Sequence, residues 1–281
     1  MAVVPIPLRD ICSRVYIVAH KENTDRLHDF LDAEGFVVEV VRGPYTPEQT
    51  AMGRNVRVLV NHSNVWRKVA SGTGVALVLE ADFVPVRNFG QLKLPFPYSA
   101  GEDSAKFGWL YSGGSILYGF DPQGYPHGHG NTTVAYALTP GAARHLLDFA
   151  SREIGAAGPG EYRAWETYMG IFLRKQVGVL NYIPVYQYGE HGGIENPEHR
   201  STGIRGWHQA DILWGPLAFE PGYAKGSLVR YRAIRARGWL RALYRLVTRR
   251  FFDPRYINSD SSQSRVFMAT WSILRMFHLA K

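Results

Sequence analysis

The sequence predicts an α/β domain built on a mostly parallel sheet, continued at its C-terminal end by a basic helical extension. Three observations carry this. Strand-like and helix-like stretches alternate from residue 14 onward, the pattern of βαβ units. A continuous apolar run, Val75-Ala76-Leu77-Val78-Leu79, reads as a strand buried on both faces in the middle of such a sheet. The charge is unevenly placed. The 281 residues carry a formal net charge of +8, yet residues 225–281 hold 13 Lys/Arg against 2 Asp/Glu, a local +11 that leaves −3 for the rest.

Taken in order, residues 14–19 are β-branched and aromatic and form a first strand. Thr24 is placed to cap a helix over residues 25–33, with Leu27, Phe30 and Leu31 on one face and Gly35 ending it. Residues 36–41 are a second strand and 43–53 a loop. Residues 55–70 repeat apolar positions at helical spacing. The central apolar strand follows, running through Glu80 and Asp82 to Val86. Residues 85–103 read as a Pro-rich connection, 107–111 as a strand, and 118–131, rich in Gly, His and Pro, as a mobile loop over a site. Residues 132–138 are a strand. Thr139 and Pro140 open a helix that runs to about Arg152. Residues 162–176 are helical and 177–183 a strand. Residues 186–199 are polar and glycine-rich, with no periodicity.

Hydrophobic content of 46% and charged content of 20% are those of a globular chain. One cysteine, Cys12, rules out a disulfide framework within the chain and fits a reducing compartment. No 18-residue apolar run exists, and residues 1–8 lack the basic start and apolar centre of a secretion signal. The expected organisation is one domain over residues 10–224 and an extension over 225–281. The expected location is cytoplasmic, peripheral on the inner face of the cytoplasmic membrane.

Glu80 and Asp82 end the central strand where open α/β sheets bind ligands. Two apart on a strand, they would point the same way and repel one another unless a cation sat between them. A hard divalent cation that also holds phosphate oxygens, Mn²⁺ or Mg²⁺, suits such a pair. The plain alternative is a strand end facing water.

Several stretches in sequence order resemble one family. The first strand, Val15-Tyr16-Ile17-Val18, is followed by Arg26. A helix carries Asn61-His62-Ser63-Asn64-Val65-Trp66, a strand ends Leu79-Glu80-Ala81-Asp82, and Ala135-Tyr136-Ala137-Leu138 leads into Thr139-Pro140-Gly141-Ala142. Over residues 14–150 the chain resembles the nucleotide-sugar-dependent glycosyltransferases of A-type fold, and among them glycosyltransferase family 25, which builds lipopolysaccharide and lipooligosaccharide. It departs from that pattern at Ala81, where the family has a middle Asp, and in reading Asn-His-Ser at the helix.

The resemblance implies a Rossmann-like sheet flanked by helices. It also implies a nucleotide-sugar donor, a UDP-sugar first among them, and a glycan or lipid-linked glycan acceptor. Asp82 would hold Mn²⁺ or Mg²⁺ on the donor diphosphate, with Glu80 near the ribose or sharing the metal. Val18, Ala19 and His20 would line the base, Arg26 would lie near phosphate, and His62 falls within the helix signature. His191, between flanking glycines, would be a further metal ligand, with His199 and His208 in reserve. An inverting transfer needs a carboxylate base. Glu166, beside Trp165, is the first candidate and Glu161 the second. Trp109, Tyr125, Trp165 and Tyr188 offer sugar-stacking faces, with core packing as the alternative.

In the extension, Arg237, Arg241, Arg245 and Arg249 repeat at i+4 and form one stripe, and Leu240, Leu243, Val247 and Phe251 form another. A basic amphipathic helix of this kind predicts attachment to an anionic membrane surface. A helical pair packed on the catalytic domain is the alternative. A nucleic-acid binder, suggested by the same arginines, would leave Glu80 and Asp82 without a role, so nucleic acid is not the expected partner. A non-catalytic glycan-binding or scaffold relative is a further alternative. A nucleotidyltransferase on a similar fold is another, which would normally carry a glycine-rich, lysine-containing phosphate loop where this chain has His20-Lys21-Glu22-Asn23.

Overall fold

A single helical turn, α1 (Leu8–Ile11), leads into β1 (Cys12–Ala19), α2 (Asp25–Ala33) and β2 (Val38–Arg42). These form the expected βαβ unit, with Val15 opposite Val38 and Ala19 opposite Arg42 in parallel register. The structure is a computed structural model that describes residues 6–99, 101, 104–192, 210–252 and 262–280. His199 and His208 lie outside the described residues. A short helix α3 (Pro47–Ala51) interrupts the expected loop. Thr46 and Gln49 close a capping box there, each side chain bonding the other's backbone N–H, and Pro47 sits at the first turn. Helix α4 (Arg54–Ala70) then delivers β3 (Val75–Glu80), which pairs in parallel with β1.

Beyond β3 come β4 (Phe83–Pro85), β5 (Phe107–Tyr111), β6 (Ile116–Phe120), β7 (Pro126–His129), β8 (Ala135–Leu138), α5 (Pro140–Gly155), α6 (Trp165–Phe172), β9 (Asn181–Tyr182), β10 (Gly189–His191), α7 (Leu228–Val247) and α8 (Ser262–Met276). Eight strands form one sheet in the order β2-β1-β3-β8-β5-β9-β7-β6. Only β7 and β8 run against the other six, so the sheet is mostly parallel, as expected. Along β3, Val75, Leu77 and Leu79 enter one apolar core and Ala76 and Val78 the other. This is the period-2 alternation of a strand covered on both faces. Helices α4 and α5 pack against each other on one side of the sheet.

Three expectations are corrected. The apolar run does not continue as one strand to Val86, because it ends at Glu80, turns at Ala81-Asp82, and resumes as β4 in a two-stranded ribbon with β10. Residues 118–131 do not form a mobile loop over a site. They complete a hairpin of β6 and β7, because Asp121 Oδ1 accepts from the backbone N–H groups of Gln123 and Tyr125 and so folds the turn. The strand expected over 177–183 shrinks to two residues, since a π turn over Leu173–Val177 and a left-handed Gly178 use up the chain before it.

The extension shares the main core. Ala242 of α7, Met268 and Trp271 of α8, and Phe251 join the cluster that holds Trp66 and Tyr136. Trp239 Nε1 donates to the Met276 carbonyl and ties the two helices together. Helix α7 is rolled from the orientation its arginine stripe predicts. Gly238 and Ala242 face the core, and Arg245 turns inward to donate to the Ser115 carbonyl, while Leu240, Tyr244 and Val247 face out. Small residues let α7 approach closely, and a Cβ at Gly238 would strike the Ala210 carbonyl. No described helix is long and apolar enough to cross a membrane.

Candidate functional site

The site is built by the turn that ends β3. Glu80 sits at the last position of that strand, and the Ala81 N–H bonds the Val18 carbonyl, which holds the turn against the end of β1. Strand β4 then doubles back along β10 with His191 opposite Phe83, and the Gly192 N–H bonds the Asp82 carbonyl. That register brings His191 Nε2 within 2.7 Å of Asp82 Oδ2, with both side chains largely buried. Burial alone would lower the His191 pKa. The charge and hydrogen bond of Asp82 outweigh it, helped by Glu80 and Glu190, and raise it to about 9. The expected same-face geometry of Glu80 and Asp82 does not arise by strand alternation, because Asp82 lies in the turn. The two carboxylates nevertheless act on one imidazole.

Glu80 is held from behind. Its Oε1 accepts from Thr133 Oγ1 at 2.7 Å and lies 3.3 Å from His62 Nε2. His62 Nδ1 is 2.8 Å from the Tyr136 hydroxyl, which also accepts from Trp66 Nε1 at 2.7 Å. Every donor is satisfied when Trp66 donates to Tyr136, Tyr136 to His62 Nδ1, and the His62 Nε2–H to Glu80. His62 and Trp66 lie four apart on α4, on one face, and together clamp one phenol. The Asn61–Trp66 stretch of α4 and the Ala135-Tyr136 stretch of β8 therefore meet as one buried relay that aims Glu80. His62 is fully buried and reaches the site through Glu80.

Glu166 lies in the first turn of α6, where the ring of buried Trp165 is tilted against the His62 ring with centroids 5.4 Å apart and donates to the Asn55 carbonyl. Burial raises the Glu166 pKa to about 7. Its own backbone hydrogen bond partly offsets this, and the charge of Glu80 adds to it. Glu166 and Glu80 therefore sense one another across the site. Glu161 is placed otherwise: it accepts from the Gly158 N–H and pairs with Arg163 at 3.1 Å. Val18 and Ala19 are buried, and the Ala19 carbonyl accepts from Asn61 Nδ2. The His20 ring is exposed and lies 5.2 Å from Tyr45. Arg26 is stacked on Phe219 and donates to the Glu220 carbonyl. Of the aromatic candidates, Trp109, Trp165 and Tyr188 are buried in the core, and Tyr125 alone keeps partial exposure.

Residue-by-residue reading missed Glu190. Fully buried next to His191, it accepts from Tyr223 Oη at 2.5 Å, Arg235 Nη1 at 3.1 Å and the Ala210 N–H at 3.2 Å. Helix α7 thus supplies the cation that satisfies the strand carrying the site histidine. The alternation of Glu190 with His191 on a short strand was the only local clue. Gly189 shows how tightly that strand is held, since a Cβ there would collide with the Phe83 ring and the Val84 carbonyl. Gly189→Ala is expected to cost about 1–3 kcal/mol in denaturant unfolding. Unchanged stability would mean that the ribbon yields freely.

Among the described residues, no three His, Cys, Asp or Glu side chains cluster closely enough to enclose a metal ion. Asp82 and His191 offer one hard oxygen and one imidazole nitrogen. That suits Mn²⁺ or Mg²⁺ completed by phosphate oxygens and water, and it does not suit a closed structural site. Buried acidic and imidazole groups thus converge at the carboxyl end of the central parallel strands, where open α/β sheets take ligands.

No family model matches the chain, and no curated protein matches it. The likeness to family 25 rests on the motifs alone. Among solved structures, the chain is similar to that of a glycosyltransferase involved in the glycosylation of the major capsid of PBCV-1. The identity is 11% and the TM-score 0.36, over 62% of this chain and 82% of that one.

Proposed function

We propose that this protein is a nucleotide-sugar-dependent glycosyltransferase that moves a sugar from a nucleoside-diphosphate donor, a UDP-sugar first among them, to a cell-surface glycan acceptor of lipopolysaccharide, capsule or exopolysaccharide type. The observation that carries the reading is the Asp82–His191 pair, 2.7 Å apart in the turn that ends β3, with Glu80 held beside it by Thr133 and His62. Asp82 and His191 would hold Mn²⁺ or Mg²⁺, which when bound supplies Lewis-acid stabilisation of the departing diphosphate. Glu80, aimed by Thr133 and His62, would take the donor's ribose hydroxyls or share the cation. Val18, Ala19 and His20 would line the base, with Arg26 toward phosphate. Glu166 would accept the proton of the acceptor hydroxyl as its oxygen bonds the anomeric carbon and the carbon–oxygen bond to the diphosphate breaks. A carboxyl with a pKa of about 7 is both substantially ionised at neutral pH and basic enough for that transfer.

A second reading keeps the transfer and drops the metal. Asp82 holds the His191 imidazole in its cationic form up to about pH 9, and an imidazolium there would itself neutralise diphosphate charge. One experiment separates the two. Nucleoside diphosphates and nucleotide sugars are screened by thermal shift, with and without Mn²⁺, on wild type and Asp82→Ala. A ligand at 100 times its Kd adds about 2.7 kcal/mol, a rise of about 5 °C or more. A Mn²⁺-dependent rise lost in Asp82→Ala supports the metal reading, and a rise indifferent to Mn²⁺ supports the second. No rise with any nucleotide under either condition sinks both.

A further inference from the structure

We infer that the outward faces of α7 and α8 form a docking surface for an anionic lipid bilayer. This assignment is independent of the reading of the donor site. Helix α7 turns Gly238, Ala242 and Arg245 inward, packs Trp239, Leu243 and Leu246 against the core, and still leaves Leu240, Tyr244 and Val247 at 52–73% exposure. Helix α8 buries Met268, Trp271 and Arg275 and leaves Phe267, Ile273 and, just past its end, Phe277 at 50–63%. Arg235 and Arg275 are turned inward onto Glu190 and Asp211. Two arginines are thus drawn inside while these six large apolar side chains remain outside. Of the sixteen large hydrophobics most exposed among the described residues, eleven lie between Leu228 and Leu279. A water-facing helix pair has no use for such a face, whereas an interfacial pair does.

Charge selects the occupant. Neither α7 nor α8 contains an acidic residue, and Arg237, Arg249 and Arg250 are exposed beside the apolar stripe of α7. A second copy docked symmetrically on this face would bring arginines against arginines. A bilayer rich in anionic lipid meets both needs at once, with acyl chains for the leucine, valine and phenylalanine side chains and headgroups for the guanidinium groups. The helices lie in the interface and do not cross it, since neither is long and apolar enough to span.

The test is vesicle co-sedimentation of the full chain, using phosphatidylcholine vesicles with and without phosphatidylglycerol. Wild type is expected to partition at least tenfold more strongly onto the anionic vesicles, with the preference falling as salt rises. The variant Arg237→Gln/Arg249→Gln/Arg250→Gln should lose about a hundredfold on anionic vesicles, near fivefold per arginine. The variant Leu240→Ser/Val247→Ser/Phe277→Ser should lose binding to both. All six positions are exposed, and an unchanged melting temperature confirms that each variant is folded. Failure to partition onto either vesicle overturns the assignment. So does a solution dimer by analytical ultracentrifugation that the serine variant dissociates, or binding of duplex DNA without vesicle binding.

Discussion

Glu166→Gln is expected to lower the rate of sugar transfer by roughly 10²–10⁴-fold, the usual contribution of a positioned general base. Donor binding should be little changed, because the glutamine keeps the shape and removes only the proton acceptor. The pH profile carries a second readout. Burial is the main cause of the raised Glu166 pKa, with the charge of Glu80 adding to it. Wild-type kcat should therefore climb with pH and level off above about 7, and the variant should lose that limb. Stability should move the other way. The folded carboxyl holds its proton up to about pH 7, while the unfolded chain releases it near 4.3. Folding stability therefore falls as pH rises through that window, and Glu166→Gln should melt at or above the wild-type temperature at pH 8. A structural glutamate would behave oppositely. Unaltered turnover in Glu166→Gln would remove it as the base.

The second large effect concerns stability. Arg275→Met is expected to cost about 3–5 kcal/mol in denaturant unfolding, the price of leaving one half of a buried ion pair behind. Arg275 Nη1 and Nη2 reach the two oxygens of Asp211 at 2.9 and 3.0 Å, and both side chains are 3% exposed. The Arg275 Nε–H donates to the Val185 carbonyl, and Asp211 Oδ1 also accepts from the Ile212 N–H and Gln187 Nε2. Every polar atom is matched, so removing the arginine alone strands a carboxylate. Asp211→Leu/Arg275→Met removes both charges and should recover most of the loss.

Acid titration of the wild type gives an independent reading of the same pair. Burial alone would raise the Asp211 pKa, but the charge and hydrogen bonds of Arg275 outweigh it and set it at about 2. The pair's contribution is therefore fully present above the unfolded pKa near 3.9 and is lost as pH falls toward 2, about 2–3 kcal/mol over that window. The double variant should lack this limb. A loss below about 1 kcal/mol in Arg275→Met would show that α8 is held by its apolar contacts alone.

These two sites differ in how far the sequence exposes them. The alternating elements from β1 to β3, the helix over Asp25–Ala33 and the acidic end of the central strand are legible because local periodicity and turn chemistry encode them. Asp82, Glu80 and His191 stand out as charged or polar groups where an apolar run or a glycine pair makes them conspicuous, and Glu166 stands out beside Trp165 at a helix start. The relay from Trp66 through Tyr136 and His62 to Glu80 is only half legible. The two helix residues are four apart, but Tyr136 arrives from a strand seventy residues on, when β8 pairs with β3. Glu190–Arg235 and Asp211–Arg275 are invisible in sequence, because a residue 45 or 64 positions away becomes a partner only once the helices have docked.

The roll of α7 marks the same boundary. Its composition alone determines that a basic, amphipathic helix forms, and periodicity shows two stripes. Which stripe faces the protein depends on what the body presents. Here the body offers buried carboxylates and carbonyls to Arg235 and Arg245 and the close approach of Ala210 to Gly238, so these two arginines turn in beside Trp239, Leu243 and Leu246, and Leu240, Tyr244 and Val247 are left outside. Local sequence sets the elements and the strand end on which the site is built. Tertiary packing alone chooses the partners of buried charges, since pairing energy outweighs desolvation only where geometry brings opposite charges into contact.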